Sequence, residues 1–212
     1  MSARGRKRKD APSTEVAEFE FYPTPREAIE TLIASPWLKL PGGTWLDPCA
    51  GTGRIPSVVN SLRRDVAWTM VEIDARHEPT LAAIARDVDA LHIENFLAIA
   101  PGSAAADVMI MNPPFSHALD FVIHGMSMAP TVIMLQRLNW LGPARAEWLR
   151  RNQPDVYVLP KRPSFTADGS TDATEYAWFV WGEWGSHSDG RSFGRVAMLD
   201  GAPLQPSLFG AG

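Results

Sequence analysis

One short segment of the chain joins an apolar strand to residues that can hold a ligand. The sequence DVMIMNPPFS, residues 107–116, places four apolar residues before an asparagine, two prolines and a phenylalanine. Proline fixes φ and lacks an N–H donor, so Pro113 and Pro114 end the strand and leave carbonyl oxygens unpaired. The side-chain oxygen of Asn112 and the carbonyl oxygen of Pro113 can accept two hydrogen bonds, while Phe115 offers a flat stacking face. The segment therefore ends a strand with free acceptors and an aromatic face.

A second candidate site is a glycine turn, LDPCAGTGR, at residues 46–54. It places Asp47 at the carboxyl end of a predicted strand, and Gly51 and Gly53 before a predicted helix. Ligands of open α/β sheets bind outside the carboxyl ends of the strands, and a helix N-terminus adds unpaired N–H groups there. Pro56 replaces the third glycine of a dinucleotide-binding motif, and a carboxylate at the mouth would repel phosphate. The turn therefore favours a cationic ligand group over a phosphate.

A second carboxylate follows at the spacing that nucleoside binding requires. Glu72 lies 19 residues after Gly53, near the end of the second predicted strand. In open α/β folds a carboxylate at that place accepts hydrogen bonds from ribose hydroxyls. The two features together predict an adenosine-containing ligand, although the turn alone would also fit a loop needed only for tight packing.

Short apolar runs alternate with helical patterns, which predicts an α/β fold with a parallel sheet covered by helices on both faces. Strands are predicted at residues 44–47, 67–74, 91–93, 107–111, 131–138, 155–160 and 175–181. Helices are predicted at residues 54–63, 117–128 and 144–151, around Leu81 and Ile84, and after a capping box of Thr24, Pro25 and Glu27. The last two strands have no helix between them, so they are predicted to form an antiparallel pair.

Composition places these elements in one domain. The chain has 212 residues, of which 45% are hydrophobic and 21% charged, which excludes disorder throughout and allows one substantial core. We divide it into a basic flexible tail at 1–18, a folded domain at 19–183 and an irregular C-terminal tail at 184–212. The basic tail is typical of a solvated chain end, with phosphate contact as the alternative. Its cations are Arg4, Arg6, Lys7, Arg8 and Lys9.

The cysteine count and the length of the apolar runs indicate the expected cellular compartment. Cys49 is the single cysteine, which excludes an intramolecular disulfide or a four-cysteine zinc site and favours a reducing environment. Neither an N-terminal signal core nor a run approaching about 20 apolar residues is present, so a cytoplasmic protein is expected. The five histidines show no metal-ligand spacing and are interpreted as surface or packing residues, so no metal is expected.

The two motifs, taken in order, resemble those of a known family. DPCAGTG and NPPF, with Asp47 and Asn112 65 positions apart, resemble the first and fourth motifs of the class I methyltransferases dependent on S-adenosylmethionine. Within that family the sequence is similar to the adenine-N6 methyltransferases of DNA, and LPKRPSF with EYAWFVW resembles their phage and prophage members. The resemblance implies a Rossmann-like, mostly parallel seven-stranded sheet with a C-terminal antiparallel strand pair.

The resemblance also implies a cofactor site for S-adenosylmethionine. Asp47, Gly51 and Gly53 would hold its amino-acid end and Glu72 its ribose, while Ile73 and Phe96 would enclose the adenine ring. Asn95 stands where many members have an aspartate that contacts the adenine amino group; a buried polar side chain satisfied within its own turn is the alternative. The full set of implied cofactor-binding residues is Tyr22, Pro23, Thr24, Asp47, Pro48, Gly51, Gly53, Glu72, Ile73, Asn95, Phe96 and Asn112.

The activity implied by the resemblance is methyl transfer to the N6 amino group of adenine in double-stranded DNA. The base must be flipped out of the duplex at a cost of a few kcal/mol. Asn112, Pro113, Pro114 and Phe115 would be the catalytic residues. Phe115 would stack on the base, and Arg162 with Phe165 would contact it from the opposite side.

Several alternatives stay open on sequence grounds. Related motifs act on guanine N2 in ribosomal RNA, cytosine N4 in DNA or a protein glutamine, and fold alone does not separate them. A nucleic-acid-binding partner that keeps the pocket without chemistry is a further alternative. The chain has no room for a separate target recognition domain, so loop 162–174, the basic tail or a second subunit would have to recognise DNA. A second subunit would make the protein a homodimer, which would double a small contact surface.

Overall fold

The computed structural model of the protein describes residues 22–165, 174–182 and 196–198. Residues 1–21, which include the predicted basic tail, residues 166–173 of the loop, and residues 183–195 and 199–212 lie outside the described residues. Within the described ranges, no helix is long and apolar enough to cross a membrane.

A single mixed sheet forms the centre of the fold. Its order is β3-β2-β1-β4-β5-β7-β6-β8, and β7 is the strand that runs antiparallel to its neighbours. The strands are β1 Gly43–Asp47, β2 Val66–Glu72, β3 Ala90–Ile93, β4 Val108–Met111, β5 Thr131–Arg137, β6 Asp155–Val158, β7 Tyr176–Gly182 and β8 Val196–Met198. The first seven strands confirm the predicted, mostly parallel sheet with its antiparallel pair.

An eighth strand lies within residues 184–212, the segment that was predicted to be an irregular tail. Val196–Met198 pairs in parallel with β6 through Val156, Tyr157 and Val158. Without it, β6 would present unpaired N–H and C=O groups at the edge of the sheet. The three-residue strand therefore covers part of that edge.

The reversed strand β7 places a long loop beside the ligand end of the sheet. β7 lies between β5 and β6, where Arg137 pairs with Tyr176 and Val158 pairs with Ala177. β6 consequently points the same way as β5, and the chain between β6 and β7 starts and ends at the carboxyl edge of the parallel strands. Phe165 lies in that loop.

Helices cover both faces of the sheet, as predicted. Apolar residues of α1, α2 and α3 pack on one face, where β4 contributes Val108 and Ile110. The helix α4 packs on the other face against Met109 and Met111. The helices are α1 Arg26–Ile33, α2 Arg54–Leu62, α3 Glu78–Ile84, α4 Ala118–Gly125 and α5 Ala146–Arg151.

The start of α1 differs from the predicted capping box. The helix begins at Arg26 after Pro25, and no side-chain hydrogen bond caps it. Thr24 is buried and lies in the wall of the central cavity instead. The helix is fixed to the sheet by packing and by the indole of Trp178, whose Nε1 donates to the carbonyl of Ala28 at 2.8 Å.

Candidate active site

A cavity of about 470 Å³ opens at the carboxyl ends of β1, β2 and β4. This volume lies in the range of small-molecule binding sites. Every residue predicted to bind the cofactor lines it except Gly53. The sequence motifs therefore converge on one place, although they are spread over about 90 positions of the chain, from Tyr22 to Asn112.

The glycine turn after β1 uses both glycines for conformations that other residues avoid. Gly51 has φ of 55° and Gly53 has φ of 72°, both in the left-handed region. A Cβ on Gly53 would lie 2.0 Å from Cδ1 of Ile84, so this position also lets α3 pack closely against the turn. Gly51 faces the cavity, whereas Gly53 contributes through backbone conformation and packing.

Glu72 ties the turn to the end of β2. Its Oε2 accepts a hydrogen bond from the N–H of Gly51 at 2.6 Å, and its Oε1 accepts one from the N–H of Asp74 at 2.8 Å. The side chain is buried but borders the cavity. The predicted ribose contact is thus a carboxylate that two backbone donors already hold in place.

Asp47 is a buried carboxyl group in the cavity wall. It is 1% exposed, and Oδ1 accepts a hydrogen bond from the N–H of Cys49 at 3.3 Å. Burial raises its pKa to about 8; the bond from Cys49 opposes this shift, and the charge of Glu72 adds to it. Among the described residues no cation pairs with Asp47, so a cationic ligand group would restore its charge. Burial also raises the pKa of the Cys49 thiol well above its ordinary range.

The predicted adenine-binding residues differ in how much surface they present. Ile73 is 50% exposed and lines the cavity. Phe96 is only 2% exposed, because its ring packs against Phe121 and His124 at centroid distances of 5.3 and 4.9 Å. Asn95 accepts a hydrogen bond from the N–H of Leu97 at 3.0 Å, within its own turn. The alternative interpretation expected such a bond for a buried side chain, but Asn95 is exposed.

Asn112 connects the cavity to the N-terminal segment. Its Nδ2 donates to the carbonyl oxygen of Tyr22 at 2.9 Å. A carbonyl oxygen can only accept, so this contact fixes which side of the amide is the donor and turns Oδ1 away from Tyr22. Pro114 also lines the cavity, whereas Pro113 is buried outside it.

Phe115 does not line the cavity but belongs to an aromatic cluster beside it. Its ring stacks on Tyr22 with a centroid distance of 5.6 Å and an interplanar angle of 14°. The guanidinium of Arg137 lies 4.7 Å from the ring centroid, and Tyr176 lies at 6.4 Å. Phe165 completes the cluster, at 4.9 Å from Tyr176 and 6.2 Å from Tyr22. The two residues predicted to hold a base therefore lie in one cluster.

Arg162, also predicted to contact substrate, is engaged elsewhere. Its Nε and Nη2 both lie 2.7 Å from Oε1 of Glu175, and the hydrogen bond to that carboxylate raises the pKa of the guanidinium. Both side chains are about half exposed. The ion pair joins the two ends of the loop that carries Phe165.

Sequence reasoning did not anticipate Arg137 or the histidines of the cavity. Arg137 ends β5, and the rule that ligand-contacting residues follow strand ends could have indicated it. His77 and His117, interpreted as surface or packing residues, both line the cavity, and His77 Nδ1 lies 3.9 Å from Glu72 Oε1. Their positions follow from turns whose course the sequence does not specify.

Comparison with solved structures identifies the fold. A protein of Pyrococcus horikoshii assigned as an RNA methyltransferase superposes with a TM-score of 0.54 at 15% identity, over 68% of this chain and 76% of its own. A Listeria monocytogenes protein assigned as a class I S-adenosylmethionine-dependent methyltransferase gives 0.55 at 15%, over 82% and 62%. An Agrobacterium tumefaciens protein assigned as an O-methyltransferase gives 0.53 at 13%, over 82% and 84%. The fold is that of the class I methyltransferases. No family model and no curated protein matches the sequence.

Within this methyltransferase fold, the cavity wall contains two buried carboxyl groups. Asp47 and Glu72 are both buried there, while Arg76 neutralises the neighbouring Asp74 and holds the pKa of that carboxyl at about 2. The described residues contain no group of three or more side chains that could hold a metal ion. The arrangement can therefore bind a ligand with a cationic end and an apolar end, the latter against Ile73.

Proposed function

We propose that the protein transfers a methyl group from S-adenosylmethionine to the exocyclic N6 of adenine in DNA. The observation that carries this proposal is the position of Asn112. It borders the cavity and is hydrogen-bonded to Tyr22, which stacks on Phe115 in the aromatic cluster. A residue at that junction can reach both a cofactor in the cavity and a base beside it.

The cavity fits the proposed cofactor in its charge and its apolar surface. Asp47 would hold the cationic amino group, Glu72 the ribose and Ile73 one face of the adenine ring. When bound, S-adenosylmethionine supplies an electrophilic methyl group on a sulfonium. The carboxyl group of Asp47, whose pKa burial raises to about 8, supports this fit because none of the described cations pairs with it.

The residues of the motif would activate and orient the amino group. The amide of Asn112 keeps its Nδ2 on the carbonyl of Tyr22, so its Oδ1 is the atom that would accept one N–H of the base. The carbonyl of Pro113 would accept the other, and the pair would draw the nitrogen lone pair out of conjugation. Positioning of this kind dominates such transfers, and Phe115 with Phe165 would add stacking of roughly 1–3 kcal/mol per base.

An amino group of a base in RNA is the second candidate substrate. The Pyrococcus horikoshii protein of similar fold is assigned as an RNA methyltransferase, which favours this alternative over cytosine N4 or a protein glutamine. Recognition of duplex DNA with a flipped adenine, self-association into a homodimer and cytoplasmic location stay predictions.

The deciding experiment supplies tritiated S-adenosylmethionine and separate pools of DNA, RNA and protein. We expect label in adenine of DNA. Asn112→Ala should abolish transfer and leave cofactor binding largely intact, because Asp47, Glu72 and Ile73 still line the cavity. Asn139→Ala, an exposed asparagine outside the cavity, is the matched control and should keep full activity. Label confined to RNA or protein would refute the DNA assignment, and turnover by Asn112→Ala would refute the mechanism.

A further inference from the structure

The ring of Tyr22 occupies the space where the proposed function requires the base. Both aromatic residues predicted to hold the base contact it: Phe115 is stacked on it at 5.6 Å and 14°, and Phe165 meets its edge at 6.2 Å and 73°. A base could not stack on that part of Phe115 while the tyrosine ring remains there. The nearly parallel stack has the geometry that a planar base would adopt.

Among the groups that contact the ring of Phe115, Tyr22 is the one that can leave. Arg137 is anchored at the end of β5, and its Nε donates to the hydroxyl of Tyr176 at 2.9 Å. Tyr22 precedes α1, belongs to no helix or strand, and is 48% exposed. Rotation of the Tyr22 side chain gives up only its ring contacts with Phe115 and Phe165, whereas displacing Arg137 would break a hydrogen bond to the buried Tyr176.

The backbone of Tyr22 can stay while the ring moves. The bond from Asn112 Nδ2 is made to the carbonyl oxygen of Tyr22, not to its side chain. Rotation about χ1 would therefore clear the face of Phe115 and keep the Asn112 amide oriented for the base. The backbone of Tyr22 thus orients Asn112, while its side chain can leave the face of Phe115.

Resting on the proposed function, we infer that Tyr22 is a placeholder for the target base: its ring stacks on Phe115 in the free protein and is replaced there by the adenine. This assigns to Tyr22 a role on the substrate side in addition to its place in the cavity wall. It also predicts that the base and the ring of Tyr22 compete for Phe115, because the base must displace the ring before it can stack there.

The test measures the binding of a labelled single-stranded oligodeoxynucleotide with one adenine, by fluorescence anisotropy without cofactor. An aromatic pair contributes enough that Tyr22→Ala should tighten binding by about two- to tenfold. Tyr22→Phe keeps the ring and should bind as the wild type does. The same oligonucleotide with an abasic site in place of adenine should bind Tyr22→Ala and wild type equally.

The effect must also depend on Phe115. In a Phe115→Ala background, Tyr22→Ala should change the affinity for adenine by less than about 1.5-fold, since the shared stacking surface is gone. Weaker or unchanged binding by Tyr22→Ala overturns the placeholder role, as does an equal gain in the Phe115→Ala background. If either of these results is found while label is still transferred to adenine in DNA, the placeholder role fails and the proposed function is retained. Absence of label from every nucleic acid pool would overturn the function itself.

Discussion

The buried carboxyl group of Asp47 should make the ligand-free protein less stable as the pH rises. Its pKa of about 8 in the folded protein exceeds the ordinary value of 3.8. Between these two pH values the folded state holds a proton that the unfolded state has lost, so the free energy of unfolding falls as pH increases. The two pKa values differ by about four, which at about 1.4 kcal/mol per unit corresponds to roughly 5 kcal/mol.

Asp47→Asn removes this titration with little change of shape. At pH 8 the variant should therefore be more stable than the wild type by up to roughly 5 kcal/mol, and the difference should vanish near pH 4. Urea unfolding of ligand-free protein, followed by tryptophan fluorescence at several pH values, measures this directly. Parallel profiles for the two proteins would refute the reasoning.

Asp74→Asn is the matched control because the pKa of Asp74 is shifted in the opposite direction, so its effect on stability changes with pH in the opposite sense. Arg76 holds the pKa of Asp74 at about 2, below the ordinary value of 3.8. That contribution to stability is present above pH 3.8 and is lost as the pH falls toward 2. Asp74→Asn should therefore be less stable than the wild type at pH 7, where Asp47→Asn is more stable.

The same titration predicts the pH dependence of ligand binding. A cationic group beside Asp47 requires its ionised form, so affinity should rise about tenfold per pH unit up to about pH 8. Calorimetric titration with S-adenosylhomocysteine, which carries the same amino group, checks this without turnover. Asp47→Asn should bind weakly and without that pH dependence; a wild-type affinity that is flat between pH 6 and 8 would contradict the assignment.

Three further predictions test the turn, the cluster and the core. Gly53→Ala should lower the free energy of unfolding by roughly 1–3 kcal/mol, because the new side chain is strained at positive φ and clashes with α3. Gly102 also has a positive φ, of 81°, but open space around it, so Gly102→Ala should lose only the free energy that comes from the backbone strain. Phe115→Ala should weaken oligonucleotide binding by roughly 1–3 kcal/mol and hardly affect cofactor affinity; equal losses would argue against stacking. Trp178→Phe should cost roughly 0.5–1.5 kcal/mol in urea unfolding, because the carbonyl of Ala28 loses the indole donor but keeps the hydrogen bond from the Thr31 hydroxyl.

The regular part of the fold could be predicted because its signals are local. Apolar runs such as residues 131–137 and 176–181 specify buried strands, and the turn after Asp47 specifies its own conformation through glycine. The three-residue β8 carries no such pattern, since its place depends on the edge that β6 offers. The predicted cap at Thr24 failed because the cavity wall, not the helix, uses that side chain.

The candidate site was predictable as a set of residues but not as an arrangement. The motifs indicated Asn112 and Phe115, yet the hydrogen bond from Asn112 to Tyr22 joins residues 90 positions apart. No local pattern specifies a contact at that separation. The stack of Tyr22 on Phe115 and the pair of Arg162 with Glu175 follow from how loops return to the sheet, which packing decides.

The position of β7 has a consequence for the order in which the protein can form during synthesis. β5 pairs with β4 and β7, and β6 pairs with β7 and β8, so β5 and β6 share no direct contact in the sheet. A nascent chain that ends before Tyr176 has therefore made both strands but lacks the one that joins them. Until the ribosome has released Gly182, one side of β5 stays without its hydrogen-bonding neighbour, and the last third of the sheet is a late addition to an otherwise sequential assembly.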